Sequence, residues 1–163
     1  MKYCCSGDDK DELALGSLGL QIFLETPSNR SYFIVHRLDF VELLVQRLST
    51  VKNNQVQYQL LFSLWLITFE RKHCEVLLSI SGLIPIMLDV AKLAVKEKVK
   101  RLVVLCFNNF MRLSKEKAIP LFVGSKVTLF VDALVGTTIV DEELNVEVAQ
   151  LSESLNHAIQ KLR

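Results

Sequence analysis

The stretch Gln57-Tyr-Gln-Leu-Leu-Phe-Ser-Leu-Trp-Leu-Ile-Thr-Phe69 decides the fold. Tyr58, Phe62, Trp65, Leu66 and Phe69 within it fall at i, i+4, i+7, i+8 and i+11, one face of an α-helix. Shifted by 41 residues, these positions land on Val99, Val103, Cys106, Phe107 and Phe110, again all apolar. A preceding pair of segments aligns with a shift of 43: Phe40/Leu83, Val41/Ile84, Leu43/Ile86 and Leu44/Met87. A second shift of 43 carries Leu83, Ile84, Ile86 and Met87 onto Lys126, Val127, Leu129 and Phe130. A period of 40–43 residues, with one short helix followed by two longer ones, is that of armadillo/HEAT arrays. The fold class read from the sequence is therefore all-α, an armadillo/HEAT-like α-solenoid of about three to four helical repeats.

Outward from this stretch, the chain divides at its breakers. Residues 1–9 are expected to be disordered and 10–163 to form the repeat segment. Its repeats are read as 10–25 (partial), 31–69, 73–113 and 117–163. The expected helices are 11–24, 31–36, 39–48, 55–69, 74–80, 85–93, 96–113, 120–123, 127–135 and 142–162. Thr26-Pro27-Ser28-Asn29 reads as a breaker, Gly82, Gly124 and Gly136 as stops, and Pro85 suits a first turn. The last helix carries its stripe at Leu144, Val148, Leu151, Leu155, Ala158 and Leu162.

Composition agrees with a helical body. Half of the 163 residues are hydrophobic, 28 are leucine, and only six are Gly and three Pro, too few for a turn-rich β fold. Disorder over most of the chain is excluded, because it needs low hydrophobicity and high net charge. A solenoid repeat buries its hydrophobic face only against its neighbours, so the apolar excess is read as stacking surface for both ends. The net charge of +1 gives no pull towards nucleic acid or an anionic membrane. The charges are segregated, however. Nine Lys/Arg stand against Glu97 and Glu116 between Lys92 and Lys126, whereas six acids and no bases lie between Asp132 and Glu153. No signal peptide is visible in 1–10, and the longest apolar run, 60–69, is half of the roughly 20 residues that span a bilayer.

No pattern for catalysis, cofactor or metal emerges. G-x-S-x-G, G-x-x-x-x-G-K-[ST], G-x-G-x-x-G, H-E-x-x-H and Cys/His spacings are all absent. His36, His73 and His157 belong to different repeats and are read as packing or surface residues. Cys74 and Cys106 are read as reduced thiols acting as small hydrophobes. The expectation is no enzyme, no cofactor and a cytoplasmic setting.

Partner binding is the remaining class. Lys98, Arg101, Asn108 and Arg112 form a polar line along a third helix, and in armadillo arrays third helices line the groove that holds a partner. Gln55, Gln57 and Gln59 extend that surface in the preceding repeat. An ordinary solvated face explains the same residues. Trp65, Phe62 and Phe69 admit a reading as an aromatic recognition stripe, but the 41-residue shift equates them with a buried stripe, and burial is the expectation.

The stretch 57–69 resembles a signature of the H-subunit family of the vacuolar-type proton ATPase. Leu83-Ile-Pro-Ile-Met-Leu-Asp-Val90, Val95-Lys-Glu-Lys-Val-Lys-Arg-Leu102 and Cys106-Phe-Asn-Asn-Phe110 resemble the same family in the same order. Asn108 departs from the arginine expected there. The resemblance implies a helical-repeat regulatory component of the pump's cytosolic sector that touches peripheral stalks and supports coupling of ATP hydrolysis to proton transport. It implies location on the cytosolic face of vacuolar and endosomal membranes. It covers part of the family's N-terminal domain, so the C-terminal regulatory domain is expected to be missing. A general armadillo adaptor holding an extended peptide in its groove is the alternative.

Overall fold

In the computed structural model, residues 10–161 are described; the expected disorder of 1–9 and the last stripe position, Leu162, lie outside them. The described residues form α1 (Lys10–Leu24), α2 (Pro27–His36), α3 (Leu38–Thr50), α4 (Asn54–Ile67), α5 (Arg71–Leu77), α6 (Leu83–Leu93), α7 (Glu97–Gly124), α8 (Val127–Val135) and α9 (Glu142–Gln160). No strand occurs among them. Helix α7 breaks at Ser114 (φ −147°, ψ 45°), which separates a long first arm from a second arm, Lys115–Gly124. That second arm meets α8 at 81°.

The helices stack in rows. α1 packs on α4, α4 on α7 and α7 on α9, while α3 packs on α6 and α6 on α8, and α2 reaches α5. One continuous core runs through these rows, from Leu20 and Leu24 to Leu151 and Leu155. This is the expected all-α, armadillo-like solenoid.

Local chemistry sets the helix boundaries. Asn53 caps α4, its side-chain oxygen accepting from the backbone N–H of Gln55 (2.8 Å) and Val56 (3.3 Å). Gly82 precedes α6 at φ +81°, a left-handed backbone that glycine adopts without strain. Asp141 caps α9 by accepting from Leu144 N–H at 3.0 Å. The expected breaker at Pro27 is instead a helix start. Pro27 occupies the first turn of α2, where its missing N–H costs nothing, so α2 begins four residues before the expected Ser31. The helix expected at 120–123 likewise begins earlier, at Lys115, with Pro120 inside it on an exposed position. Helix α5 is shifted towards the N-terminus, covering 71–77 rather than 74–80.

The start of α2 also closes α1. Arg30 donates through Nη1 to the carbonyls of Leu24 and Glu25, both at 3.0 Å, and Asn29 donates to Phe23 O at 2.8 Å. These are last-turn carbonyls that lack helical partners. Among the described residues no single helix is long and apolar enough to cross a membrane. Leu15 (73% exposed), Leu18 and Ile22 on α1 face outward at one end of the stack, and Leu129 and Val146 on α8 and α9 do so at the other.

Candidate binding face on the third helices

Burial fixes the register between α4 and the first arm of α7. On α4 the buried positions are Val56, Gln59, Leu60, Leu61, Ser63, Leu64, Leu66 and Ile67. Forty-three residues on stand Val99, Leu102, Val103, Val104, Cys106, Phe107, Asn109 and Phe110, all buried. The expected shift of 41 for the third helices is therefore a slip of two residues. In the observed register Gln55, Tyr58, Phe62, Trp65 and Phe69 correspond to Lys98, Arg101, Leu105, Asn108 and Arg112. The expected burial of the aromatic stripe as core is corrected accordingly. Tyr58, Phe62 and Trp65 are half-buried and packed against the core along one edge of α4, and Phe69, just beyond its end, is 38% exposed where Phe110 is 1% exposed.

These rings form a ladder. Tyr58 and Phe62 are 6.0 Å apart between centroids, Phe62 and Trp65 5.2 Å at 70°, and Trp65 and Phe69 4.8 Å at 77°. The last two pairs adopt the edge-to-face geometry favoured by ring quadrupoles. A cation closes each end. Lys98 Nζ stands 4.7 Å from the Tyr58 centroid and Arg30 Cζ 5.4 Å from that of Phe69.

The polar line on α7 divides into two kinds of residue. Lys98 and Arg112 are exposed. Arg101 pairs with Asp141 at 3.1 Å and with Glu143, both on the start of α9. Asn108 is buried and donates to the Glu147 carbonyl at 3.0 Å and to its carboxylate at 2.6 Å. Glu97 completes the seam by accepting the N–H of Asp141 at 2.7 Å and of Val140 at 3.3 Å. The basic middle and acidic end of the chain thus meet each other. Arg101 and Asn108, expected as partner contacts, spend their polar groups joining α7 to α9.

Gln59, the other expected contact on α4, is also drawn inward. It is 5% exposed, and its Oε1 accepts from the Ser17 hydroxyl of α1 at 2.5 Å. Gln55 remains exposed. A residue the sequence did not single out, Asn109, plays the same joining role between α7 and α4. It donates to Thr68 Oγ1 at 2.7 Å and accepts from Arg112 Nη2 at 3.1 Å. Of the three histidines, His73 is buried with its Nε2 3.6 Å from Glu70, His36 stacks on Tyr32, and His157 is exposed. Burial pushes the Cys74 thiol up to about 12 and raises Cys106 well above the ordinary range, so both stay protonated and act as packing groups.

Comparison with solved structures places this stack among armadillo proteins. A designed armadillo repeat protein superposes with a TM-score of 0.80 over 94% of this chain and 62% of its own, at 14% identity. An engineered protein superposes with a TM-score of 0.79 over 94% of this chain and 61% of its own, at 15% identity. Such low identity shows the fold alone. Sequence comparison reaches further. The V-type proton ATPase H subunit of Drosophila melanogaster is 32% identical over 148 residues, 88% of this chain and 31% of that protein. A second relative, from Caenorhabditis elegans and described as a probable H subunit (number 2) of the V-type proton ATPase, is 30% identical over the same length and shares. The chain therefore spans about a third of the length of these curated relatives. The family model for the H subunit of V-ATPase matches residues 4–155, nearly the whole chain, and the chain belongs to the V-ATPase H-subunit family.

Proposed function

We propose that this chain is a non-catalytic scaffold segment of the vacuolar-type proton-translocating ATPase. It binds peripheral-stalk subunits and supports the coupling of ATP hydrolysis to proton transport, at the cytosolic face of vacuolar and endosomal membranes. The observation that carries this reading is the match to the H-subunit family over residues 4–155. The stacked rows supply what a docking scaffold needs: a rigid surface whose side chains are held by packing rather than by a partner. In this reading the array is divided into a partial repeat at 10–25 and fuller repeats at 31–69, 73–113 and 117–163. Gln55, Lys98 and Arg112 are its accessible contacts, while Gln59, Arg101 and Asn108 hold the contact face in shape.

The test is reconstitution with purified peripheral-stalk subunits of the pump. The full chain is expected to co-elute with them in size-exclusion chromatography at micromolar concentration. Separate elution at concentrations up to about 100 μM, a weak-binding limit near 5 kcal/mol, refutes the reading.

A further inference from the structure

We infer that the aromatic edge of α4 is a docking site for a short segment of a partner protein that carries apolar side chains between carboxylates. The inference rests on the reading of this chain as a binding scaffold and names the chemistry of what it holds.

Three observations converge. First, Gln55, Tyr58, Phe62, Trp65 and Phe69 alternate spacings of three and four, a narrow seam along one edge of α4 that continues onto Phe69 just beyond its end. The next third helix has Lys98, Arg101, Leu105, Asn108 and Arg112 at these places. The fold therefore does not require aromatic rings there, and four of them in sequence supply rigid apolar contact area at little entropic cost. Second, α4 has no charged residue from Asn54 to Ile67, so the centre of the site is apolar. Third, exposed cations stand at both ends of it. Lys98 is exposed and has no carboxylate partner among the described residues; its contact is the Tyr58 ring. Arg112 is exposed and bonded to Asn109, which is itself bonded to Thr68 beside Phe69. Arg30 lies over Phe69, 7% exposed, with an Nε that lacks a hydrogen-bond partner.

The acids that lie near in sequence each hold a neighbouring group and keep their charge. Glu70 faces His73, Glu97 accepts the backbone of 140–141, and Glu147 holds Asn108. An apolar centre with the exposed cations Lys98 at one end and Arg112 at the other complements an apolar segment with acids at both ends. From Tyr58 to Phe69 the ring centroids step 6.0, 5.2 and 4.8 Å, so the ladder is at most about 16 Å long, which about five residues of extended chain span.

Trp65 is the single tryptophan of the chain, so its emission reports on the site directly. Three synthetic peptides are the probes: leucines between terminal glutamates, the same with lysines for glutamates, and the same with serines for leucines. The glutamate–leucine peptide is expected to shift Trp65 emission to the blue and to bind about tenfold tighter than either counterpart. Lys98→Glu is expected to weaken it about tenfold, whereas Lys117→Glu, on the second arm of α7, leaves it unchanged. Equal binding of the lysine peptide, an unmoved Trp65 emission, or wild-type affinity in Lys98→Glu overturns the inference. So does a Trp65 shift that follows protein concentration without peptide, which assigns the face to a second copy of the chain. Co-elution with stalk subunits is measured on the same samples. Retained co-elution with no peptide binding removes this inference and leaves the scaffold reading standing.

Discussion

Phe69→Ala and Phe110→Ala separate the observed register from the alternative. Under a shift of 41 the two rings are equivalent core positions, and their truncations cost the same. Under the observed shift of 43 they differ in kind. Phe110 is 1% exposed, so its removal leaves a cavity in closed packing and costs about 3–5 kcal/mol. Phe69 is 38% exposed and makes one edge-to-face contact with Trp65 and one cation–π contact with Arg30. These are worth about 0.5–1.5 and about 0.5–1 kcal/mol. Solvent reaching Arg30 after truncation offsets part of the loss, so Phe69→Ala is expected to cost about 1–2 kcal/mol. The assay is urea denaturation followed by far-UV circular dichroism at constant m-value. The expected gap between the variants is at least about 1.5 kcal/mol. Equal costs, or a larger cost for Phe69→Ala, would refute the register and with it the partly open ladder.

Asp141→Ala removes both the α9 cap at Leu144 and the pair with Arg101, and is expected to destabilise by about 1–2 kcal/mol. Amide exchange at Leu144 and Asn145 is expected to accelerate; unchanged protection there contradicts the seam described above. Gly82→Ala forces a side chain into φ +81° and is expected to cost about 1–2 kcal/mol, while Gly82→Asn costs less; equal thermal shifts for the two run against this. Cys74 has a folded pKa raised to about 12, above an unfolded value near 8.5. Its stabilising contribution is complete below that unfolded value. It declines as pH rises towards 12, because the unfolded chain has lost a proton the native chain keeps. The slope is up to about 1.4 kcal/mol per pH unit. Urea midpoints at pH 8 and pH 10 are expected to fall more steeply in the wild type than in Cys74→Ala, and parallel falls refute the assignment.

Much of the architecture was legible because helical periodicity and turn residues are local. Val127–Val135 is found where the sequence puts it, and α1, α3, α4 and α9 start within a residue of expectation. The two-residue slip at α4 has a specific cause. Val56, Leu60, Leu64 and Ile67 form one apolar stripe of that helix, and Tyr58, Phe62 and Trp65, with Phe69 just beyond its end, form another. Each satisfies the helical period, so hydrophobicity alone does not choose between them. Pro27 misled for a related reason: the residue that breaks a helix interior is well suited to open one. The polar line was legible as a spacing along one face of α7. Nothing in a list of charges revealed that Arg101 and Asn108 reach Asp141, Glu143 and Glu147 about 40 residues later.

By itself the sequence determined an all-helical array, the length of its period, the family to which it is similar and the segregation of its charges. The array, its approximate period and the charge segregation follow from local spacing and composition, and the family similarity from the motifs at 57–69, 83–90, 95–102 and 106–110. The tertiary structure decided which stripe of α4 is core and which is surface. It also decided which polar groups join helices and which remain free. Those are properties of neighbours. In a solenoid a helix face is inside only when the adjacent helices cover it, and α4, packed against α1 and α7, buries Val56, Leu60 and Ile67 and leaves the aromatic edge partly open.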